Sequence, residues 1–170
     1  METERLIIHS PTKEDVQALK AIHNSEYVLK YNCMTPYNDQ QTLQQILKDQ
    51  QSDTVFYLYH KQDRHLIGAV YFGEDDLRYG ANSLSLSYYL SENDAGQGYM
   101  SEALKMLVPF IFNQQNPDVL SCRIFKDNIA SRRLIEKLGF VYEGCLQHAV
   151  RAYSGIIYDD CLYALYKSDK

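Results

Sequence analysis

The sequence predicts a mixed α/β fold, with about seven strands in one central sheet and about four flanking helices. Short β-prone apolar runs recur along the chain, and segments with apolar residues at helical spacing separate them. One strand-like run, residues 84–90, ends in a glycine loop that opens a helical pattern. At 170 residues, of which 45% are hydrophobic, the chain has the length and apolar content of one domain over residues 1–170.

The first fifty residues predict one strand and two helices. Residues 5–9 are β-prone and are followed by a serine and a proline that end the strand. Thr12 and Asp15 have the spacing of a capping box, so a helix should begin near Lys13. Apolar residues over 43–47 at helical spacing predict a second helix.

The middle of the chain predicts three strands and a loop. Residues 55–59 and 66–72 are β-prone runs, and the polar residues between them suit a hairpin turn. Residues 84–90 alternate with a period of two, which indicates a further strand. Residues 91–98 are too polar and too rich in glycine to continue a sheet, so they form the loop.

The second half of the chain predicts two helices and three strands. Apolar residues at helical spacing over 100–111 predict a helix, although Pro109 should bend or shorten it. Residues 119–125 read as a strand, and residues 129–138 as a helix. The remainder predicts two strands around Gly155.

Composition and spacing exclude several classes of protein. The net charge is -5 and no cluster of Lys and Arg is present, so we expect no nucleic-acid partner. No apolar run reaches the ~18 residues of a membrane span and the first residues lack the order of a secretory signal, so we expect no membrane partner and a cytoplasmic location. The histidines and cysteines lack metal-ligand spacing, and no Ser/His/Asp hydrolase motif is present, so we expect no bound metal.

The glycine loop is a candidate anion site. A strand that ends in glycines and opens a helix leaves backbone N–H groups unpaired at the positive end of the helix dipole. Glycine admits positive φ and a close approach of pyrophosphate, so the candidate donors are Gln97, Gly98, Tyr99 and Met100. A tight strand-to-helix turn without a ligand explains the same glycines. Neither a P-loop nor a dinucleotide-fold pattern is present, so the loop alone does not decide between the two interpretations.

Three ordered segments carry a family resemblance: residues 95–104, 127–131 and 136–144. Together they resemble the GNAT acetyltransferases, and in particular the RimJ/RimL-like subgroup. The resemblance covers essentially the whole chain, with its specificity concentrated between residues 84 and 144. It implies a mixed, mostly antiparallel, V-shaped sheet whose fourth and fifth strands splay apart, so that the pantetheine arm of acetyl-CoA lies between them.

The resemblance also implies roles for individual residues. Residues 97–100 match the segment that binds the pyrophosphate, and Asn128 matches the asparagine that contacts the pantetheine arm. On the preceding strand, Tyr89 and Leu90 match residues whose backbone groups pair with the pantetheine amides. Two arginines follow Asn128 closely enough to meet the phosphates of the coenzyme. The implied coenzyme-binding set is Tyr89, Leu90, Gln97, Gly98, Tyr99, Met100, Asn128, Ser131 and Arg132, with Arg133 beside it.

Ser131 is the candidate catalytic residue. It matches a serine that related RimL-like enzymes use as the acid for the departing thiolate, and it lies at the start of a predicted helix. The alternative is that its hydroxyl only satisfies backbone donors in the first helical turn. Some relatives carry a glutamate base in the strand after the Glu-Gly pair, where this chain has Val150, so the base is not identified. Replacement bases are Glu74, Glu143, His148 and Tyr153.

These observations predict an N-acetyltransferase that moves an acetyl group from acetyl-CoA to a primary amine. The acceptor is either a protein N-terminal α-amine or a small-molecule amine, and an α-amine is favoured because it is partly neutral without help from a base. Two alternatives stay open: a coenzyme A-binding module without catalysis, and an acetyltransferase that detoxifies polyamines or antibiotics. The chain is expected to be a monomer or a homodimer. The predicted walls of the acceptor site are Tyr27, Tyr31, Tyr37 and Tyr153.

Overall fold

A seven-stranded sheet forms the centre of the computed structural model, which describes residues 1–167. Its strands lie side by side in the order β1-β2-β3-β4-β5-β7-β6. This confirms the mixed α/β class and the number of strands that the sequence predicts. The strands are β1 Leu6–His9, β2 Val55–His60, β3 Leu66–Glu74, β4 Ser83–Leu90, β5 Val119–Phe125, β6 Val141–Arg151 and β7 Ile157–Tyr166.

Five α-helices and two short 3-10 turns connect the strands in the described part of the chain. The helix that the sequence did not predict is α2, a single turn that follows α1 directly. The Ser25 side chain begins it by accepting a hydrogen bond from the Val28 backbone N–H at 3.2 Å. One turn is too short to show a helical period, so the prediction missed it. The helices are α1 Val16–His23, α2 Glu26–Leu29, α3 Asp39–Asp49, α4 Tyr99–Gln115 and α5 Ile129–Lys137, with 3-10 turns at Lys13–Asp15 and Glu92–Asp94.

Local signals explain where the helices begin. The predicted capping box of Thr12 and Asp15 is present, and it opens the 3-10 turn that leads into α1. A second capping box, formed by Asn38 and Gln41, opens α3. In α4, Pro109 does not shorten the helix, which continues to Gln115. The apolar face of α4 is buried against the sheet, and burial of several large side chains outweighs the ~3 kcal/mol that an interior proline costs.

The sheet is covered on both faces. On the face that we call the α4 face, α4 and α5 contribute Leu104, Leu107 and Ile135 to one apolar cluster. On the opposite face, the α3 face, α1, α2 and α3 contribute Leu19, Val28 and Ile46 to a second cluster. Neighbouring residues of β2 belong to different clusters, because successive side chains of a strand point to opposite faces.

The sheet opens between its fourth and fifth strands. Every neighbouring pair of strands is antiparallel except β4 and β5, which run parallel. That parallel pairing joins only residues 83–86 to residues 119–122. Beyond it, β4 stays paired with β3 as far as Leu90, and β5 stays paired with β7 as far as Phe125. The two halves of the sheet therefore part in a V, as the resemblance implied.

No helix within residues 1–167 is both long enough and apolar enough to cross a membrane.

Candidate active site

A cavity of about 600 Å³ lies where β4 and β5 part. Four segments wall it: the end of β4, the glycine loop with the first turn of α4, the start of α5, and α2 with the residues that follow it. Beyond residue 86, the edge of β4 that faces β5 has no partner strand among the described residues, so its backbone groups are free to bond to a ligand. The lining residues are Tyr27, Val28, Lys30, Tyr31, Asn32, Tyr88, Tyr89, Leu90, Ala95, Gly96, Gly98, Met100, Ser101, Asp127, Asn128, Ile129, Ala130, Ser131 and Leu134.

The glycine loop has the geometry of an anion cradle. Gly96 and Gly98 have φ of +75° and +86°, in the left-handed region where other residues are strained. Gly98 is also the N-cap of the 17-residue helix α4, so the N–H groups of the first turn, which lack partners within the helix, lie at the positive end of a long helix dipole. Apart from Gly96 itself and its two chain neighbours, no atom of residues 1–167 lies within 4 Å of the position that a Cβ would take at Gly96. The loop is therefore open on the side from which an anion would approach.

Arg5 fastens the loop from outside the cavity. Its Nη1 donates to the Gln97 carbonyl oxygen at 3.0 Å, and its Nε donates to Glu102 Oε2 at 2.7 Å. Its guanidinium also lies 4.5 Å from the centre of the Tyr99 ring. Burial acts to raise the pKa of Glu102, but hydrogen bonds from Thr3 and Arg5 outweigh it and lower that pKa below its ordinary value. Arg5 was not among the predicted site residues, because 92 residues separate it from Gln97 in the sequence.

The predicted coenzyme residues of the loop occupy two kinds of position. Gly98 and Met100 line the cavity. Gln97 and Tyr99 do not line it: the Gln97 Nε2 donates to the Asn93 carbonyl at 2.9 Å, and Tyr99 is buried beneath Arg5. Only the backbone N–H groups of these two residues are available to an anion.

The start of α5 brings Asn128 and Ser131 to the cavity wall. The Asn128 side chain caps the helix, accepting from the Ser131 backbone N–H at 3.3 Å. Asn128 therefore does the capping that the alternative interpretation gave to Ser131. The Ser131 hydroxyl has no hydrogen-bond partner among residues 1–167, although it lines the cavity. It is free to bond to a ligand.

The structure does not bring Arg132 and Arg133 to the cavity lining. The Arg132 Nε donates to the Tyr163 hydroxyl at 2.8 Å, and its Nη1 donates to the Lys126 carbonyl at 3.1 Å. A role for Arg132 in binding phosphate stays a prediction. To bind phosphate, its guanidinium would have to give up these two hydrogen bonds.

The predicted acceptor walls divide into two pairs. Tyr27 and Tyr31 line the cavity, whereas Tyr37 and Tyr153 do not. Tyr37 stacks on His23, with 4.0 Å between ring centres, and Tyr153 is 56% exposed. Among the described residues that line the cavity, the charged ones are Lys30 and Asp127. The cavity therefore lacks a group of carboxylates that would hold a polycation.

The suggested replacement bases lie away from the cavity lining. The Glu143 carboxylate accepts from Arg78 at 2.6 Å and from the Tyr166 hydroxyl at 2.5 Å, which holds it on the outside of the sheet. The His148 backbone N–H donates to Asp159 at 3.0 Å, and Glu74 ends β3 at the far end of the sheet. Val150 lies in β6 opposite Tyr158 and has no acid or base function.

His23 is a buried histidine behind the cavity wall, only 3% exposed. Its Nδ1 lies 3.0 Å from Asn24 Oδ1. That oxygen is identified as an acceptor, because it also accepts from the Tyr37 backbone N–H while the Asn24 Nδ2 donates to the Tyr37 carbonyl. Nδ1 therefore carries a proton, and Nε2 has no hydrogen-bond partner in the described part of the chain.

One group of possible metal ligands was not predicted from the spacing of the histidines and cysteines. His60, Asp63 and His65 on the turn between β2 and β3 bring their ligand atoms within 4.8 Å of one another. The Asp63 Oδ1 lies 3.0 Å from His60 Nδ1 and 2.6 Å from His65 Nδ1. These hydrogen bonds lower the pKa of Asp63 to about 2 and account for the cluster without a metal. The cluster lies outside the cavity lining.

A mixed sheet opened between two parallel strands, with a glycine loop and a helix N-terminus at the opening, is the architecture of an acetyl-CoA-dependent acetyltransferase. The family model described as an acetyltransferase (GNAT) domain matches residues 5–141. The chain belongs to the GNAT acetyltransferase family.

Known proteins resemble the chain over most of its length. It is 27% identical to the uncharacterized N-acetyltransferase p20 of Bacillus licheniformis, over 98% of this chain and 96% of that protein. It is 30% identical to the ribosomal-protein-serine acetyltransferase of Escherichia coli (strain K12), over 70% of this chain and 64% of that protein. The structure of RimL, a ribosomal α-N-protein acetyltransferase in complex with coenzyme A, has a TM-score of 0.81 at 19% identity, covering 96% of this chain and 95% of that one. The likeness to RimL shows that the two proteins have the same fold.

Proposed function

We propose that the chain transfers the acetyl group of acetyl-CoA directly to a primary amine bound in the cavity, and that the amine is the α-amine of a protein N-terminus. One observation carries the proposal. The unpaired edge of β4, the glycine loop and the free Ser131 hydroxyl meet in a single cavity. A strand edge, an anion cradle and a proton donor are the three features that a pantetheine thioester requires.

The coenzyme would be held mainly by backbone groups. In the proposal, the N–H groups of residues 97–100 bind the pyrophosphate, since they lie at the positive end of the α4 dipole. The backbone of Tyr89 and Leu90, on the free edge of β4, pairs with the pantetheine amides. Asn128 adds a side-chain contact through its amide nitrogen. Because the proposed donors are backbone groups, the side chains of Ala95 and Met100 at the ends of the loop are compatible with coenzyme binding.

Ser131 is the proposed acid for the departing thiolate. Its hydroxyl is not used to cap α5, and it lies in the first turn of a helix, where a developing negative charge is stabilised. Acetyl-CoA supplies the activated thioester. A backbone N–H on the free edge of β4 is the proposed donor to the carbonyl oxygen as it becomes negative. Orientation of the two substrates in one cavity supplies much of the remaining acceleration.

The charge of the cavity favours an acceptor with a single amine. Lys30 would repel a polycation, and Asp127 is the one carboxylate among the described lining residues. This argues against polyamines and polycationic antibiotics, which need several carboxylates. An α-amine has a reference pKa of about 7.7 to 8.0, so part of it is neutral near pH 7. The relative in Escherichia coli carries a name that places its acceptor on a ribosomal protein, in line with a RimJ/RimL-like activity.

The proposed coenzyme site is tested by thermal unfolding with and without acetyl-CoA. At about 100 times its dissociation constant a ligand stabilises a protein by about 2.7 kcal/mol, which raises the melting temperature of a domain of this size by about 5 to 10 °C. Gly96→Asp should lose this shift, because a side chain at Gly96 enters open space at the cavity wall and its carboxylate repels the pyrophosphate. Gly96→Asn is the matched control: it has the same size and tolerates positive φ, but it is neutral, so it should keep most of the shift.

A panel of amines then separates transfer from mere binding. Peptides with a free N-terminus should be acetylated faster than spermidine or an aminoglycoside. Binding of acetyl-CoA with no transfer to any amine would support a coenzyme A-binding module instead. A folded wild-type protein that shows no shift at saturating acetyl-CoA would refute the site itself.

A further inference from the structure

A chain of hydroxyl groups runs from the cavity wall to a buried carboxylate. Tyr89 lines the cavity, and its hydroxyl oxygen lies 3.1 Å from that of Tyr71. The Tyr71 hydroxyl donates in turn to Asp49 Oδ2 at 3.3 Å. Asp49 is 2% exposed, at the end of α3 on the side of the sheet away from Ser131. The path joins the cavity to a carboxylate that sequence patterns did not single out.

The strand register builds this path. Ala69 of β3 pairs with Tyr57 of β2 on one side and with Tyr89 of β4 on the other. All three residues belong to the cluster on the α3 face, and so does Tyr71, two positions along β3. The small Ala69 side chain leaves space on this face for the rings around it. The hydroxyl groups therefore converge under the end of α3, where Asp49 lies.

Asp49 accepts hydrogen bonds from three side chains. The Tyr57 hydroxyl donates to Oδ2 at 2.9 Å, and the Gln45 Nε2 donates to Oδ1 at 2.7 Å. The bond from the Tyr71 hydroxyl is the third, and it is the one that leads to the cavity wall. Despite these bonds, burial raises the pKa of Asp49 above its ordinary value. A buried carboxylate with a raised pKa and a hydroxyl path to a cavity is suited to accept a proton.

We propose that Tyr89, Tyr71 and Asp49 form a proton relay that takes the proton of the acceptor ammonium from the cavity. The inference rests on the proposed function. It supplies a base for the amine, which this chain lacks at Val150, where some relatives carry a glutamate. The path lies on the α3 face, whereas the Ser131 backbone is contacted from the other face by the Tyr88 hydroxyl, which donates to its carbonyl at 3.5 Å. Separate groups therefore take the proton from the amine and give a proton to the thiolate.

The proton transfer balances at every atom. An N–H bond of the ammonium breaks as the Tyr89 oxygen gains that proton, while the Tyr89 proton moves to Tyr71 and the Tyr71 proton moves to Asp49. Both tyrosines stay neutral, which their raised pKa values require. The neutral amine then attacks the thioester carbon, the C–S bond breaks, and a second amine proton reaches the sulfur through Ser131. After the amide and the thiol leave, the proton on Asp49 returns to water along the same path.

Other titratable groups face the relay from the elements around it. From α1, the His23 ring meets Tyr89 edge-on, with 6.4 Å between centres, and Tyr37 stacks on the far side of His23. From α3, the charge of Lys48 acts to lower the pKa of Asp49. From β2, Tyr57 donates to Asp49 but does not line the cavity. His23 makes no hydrogen bond to Tyr89 within the described residues, so the hydrogen-bonded path leads to Asp49.

The test compares Tyr71→Phe with Tyr57→Phe in the full chain, using acetyl-CoA and a short peptide with a free N-terminal serine. Each change removes one buried hydroxyl that donates to Asp49 Oδ2, but only Tyr71 is on the path. In the wild type, log(kcat/KM) should be flat between the pKa of Asp49 and that of the peptide ammonium. In Tyr71→Phe it should rise tenfold per pH unit up to the ammonium pKa, because only the neutral amine reacts. Two units below that pKa the loss should be about 100-fold, within the range of general base catalysis.

Tyr57→Phe should keep the flat profile of the wild type. Acetyl-CoA should bind both variants as it binds the wild type, which shows that they fold. An equal loss at every pH in both variants would mean a structural role and would overturn the relay. A new slope in His23→Gln but not in Tyr71→Phe would move the base to His23 and also overturn it. Acetyl-CoA binding without turnover of the serine peptide or of any amine on the panel would refute the proposed function, and the relay with it.

Discussion

The two faces of the sheet meet the same cavity but offer it different chemistry. On the α4 face, Tyr88 packs on an apolar core, and its hydroxyl donates to the Ser131 carbonyl at 3.5 Å. On the α3 face, the next residue, Tyr89, joins hydroxyl groups that end at Asp49. Successive residues of a strand point to opposite faces, so one step along β4 separates the two environments. In the proposed reaction, this alternation keeps the proton donor to the thiolate apart from the proton acceptor for the amine.

The largest expected effect tests the α4 side of this comparison. Ser131→Ala removes the proposed acid, so kcat should fall about 100-fold while acetyl-CoA still binds. The pH profile should keep the shape of the wild type, because the relay on the α3 face is intact. Steady-state kinetics across pH would measure both quantities.

Ser101→Ala is the matched control for Ser131→Ala. Ser101 also lines the cavity and also lies in the first turn of a helix, but in α4. Its replacement should leave kcat close to that of the wild type. Similar losses of kcat in the two variants would show that turnover is sensitive to any lost hydroxyl in the cavity. A changed pH slope in Ser131→Ala would contradict separate proton-transfer roles for the two faces of the sheet.

A second prediction tests the α3 side through stability. Burial raises the pKa of Asp49, so the folded state holds that proton more tightly than the unfolded chain does. The contribution of Asp49 to the free energy of unfolding should therefore fall as pH rises from about 3.9, the ordinary pKa, through the raised pKa of the folded state. Asp49→Asn removes this titration. The stability difference, wild type minus variant, should fall by about 1.4 kcal/mol for each unit by which the pKa is raised.

Urea unfolding of both proteins over a pH series measures this difference. Exposed carboxylates such as Asp39 and Asp63, whose pKa values are lowered, are present in both proteins and cancel in the subtraction. A difference that stays constant with pH, or that grows as pH rises, would contradict the environment assigned to Asp49.

The smallest expected effect concerns the loop anchor on the outside of the cavity. Arg5→Met removes the bond to the Gln97 carbonyl and the ion pair with Glu102. The two side chains of that pair are 40% and 19% exposed, so solvent weakens the pair, and we expect acetyl-CoA affinity to fall only about fivefold. Isothermal titration calorimetry would measure it, and the pH slope of turnover should not change.

Lys61→Met serves as the control for Arg5→Met. Lys61 pairs with Glu2 at 2.9 Å beside the same strand but does not touch the loop. Its replacement removes an equal charge and should leave the affinity unchanged. An equal loss of acetyl-CoA affinity in both variants would indicate that the positive charges attract the phosphates at long range, and not that Arg5 holds the loop in place.

Sequence patterns predicted most of the fold because the signals are local. The capping box at Thr12, the β-prone runs and the turn glycines act within a few residues, and each gave the correct element. Two features of the helices were not predicted, because they leave no clear local signal in the sequence. The single turn of α2 is too short to show a period, and the survival of α4 past Pro109 depends on burial against the sheet.

The site was predictable only where a motif is continuous in sequence. The positions of Gly98, Asn128 and Ser131 at the cavity follow from short segments that resemble the family. Of the four tyrosines suggested as acceptor walls, only Tyr27 and Tyr31 line the cavity, since composition does not show where a ring points. Whether the predicted residues bind coenzyme stays a prediction, and for Arg132 the structure shows other partners.

By itself the sequence determined the order of strands and helices, the left-handed glycine loop and the helix starts, because backbone torsion preferences and side-chain periodicity act over a few residues. Tertiary structure alone decided where the β4–β5 pairing ends. It also brought Arg5 to the loop and aligned Tyr89, Tyr71 and Asp49. Those contacts join residues from 18 to 92 positions apart. Their geometry is set by cross-strand register and by packing of the two faces, which no local pattern encodes.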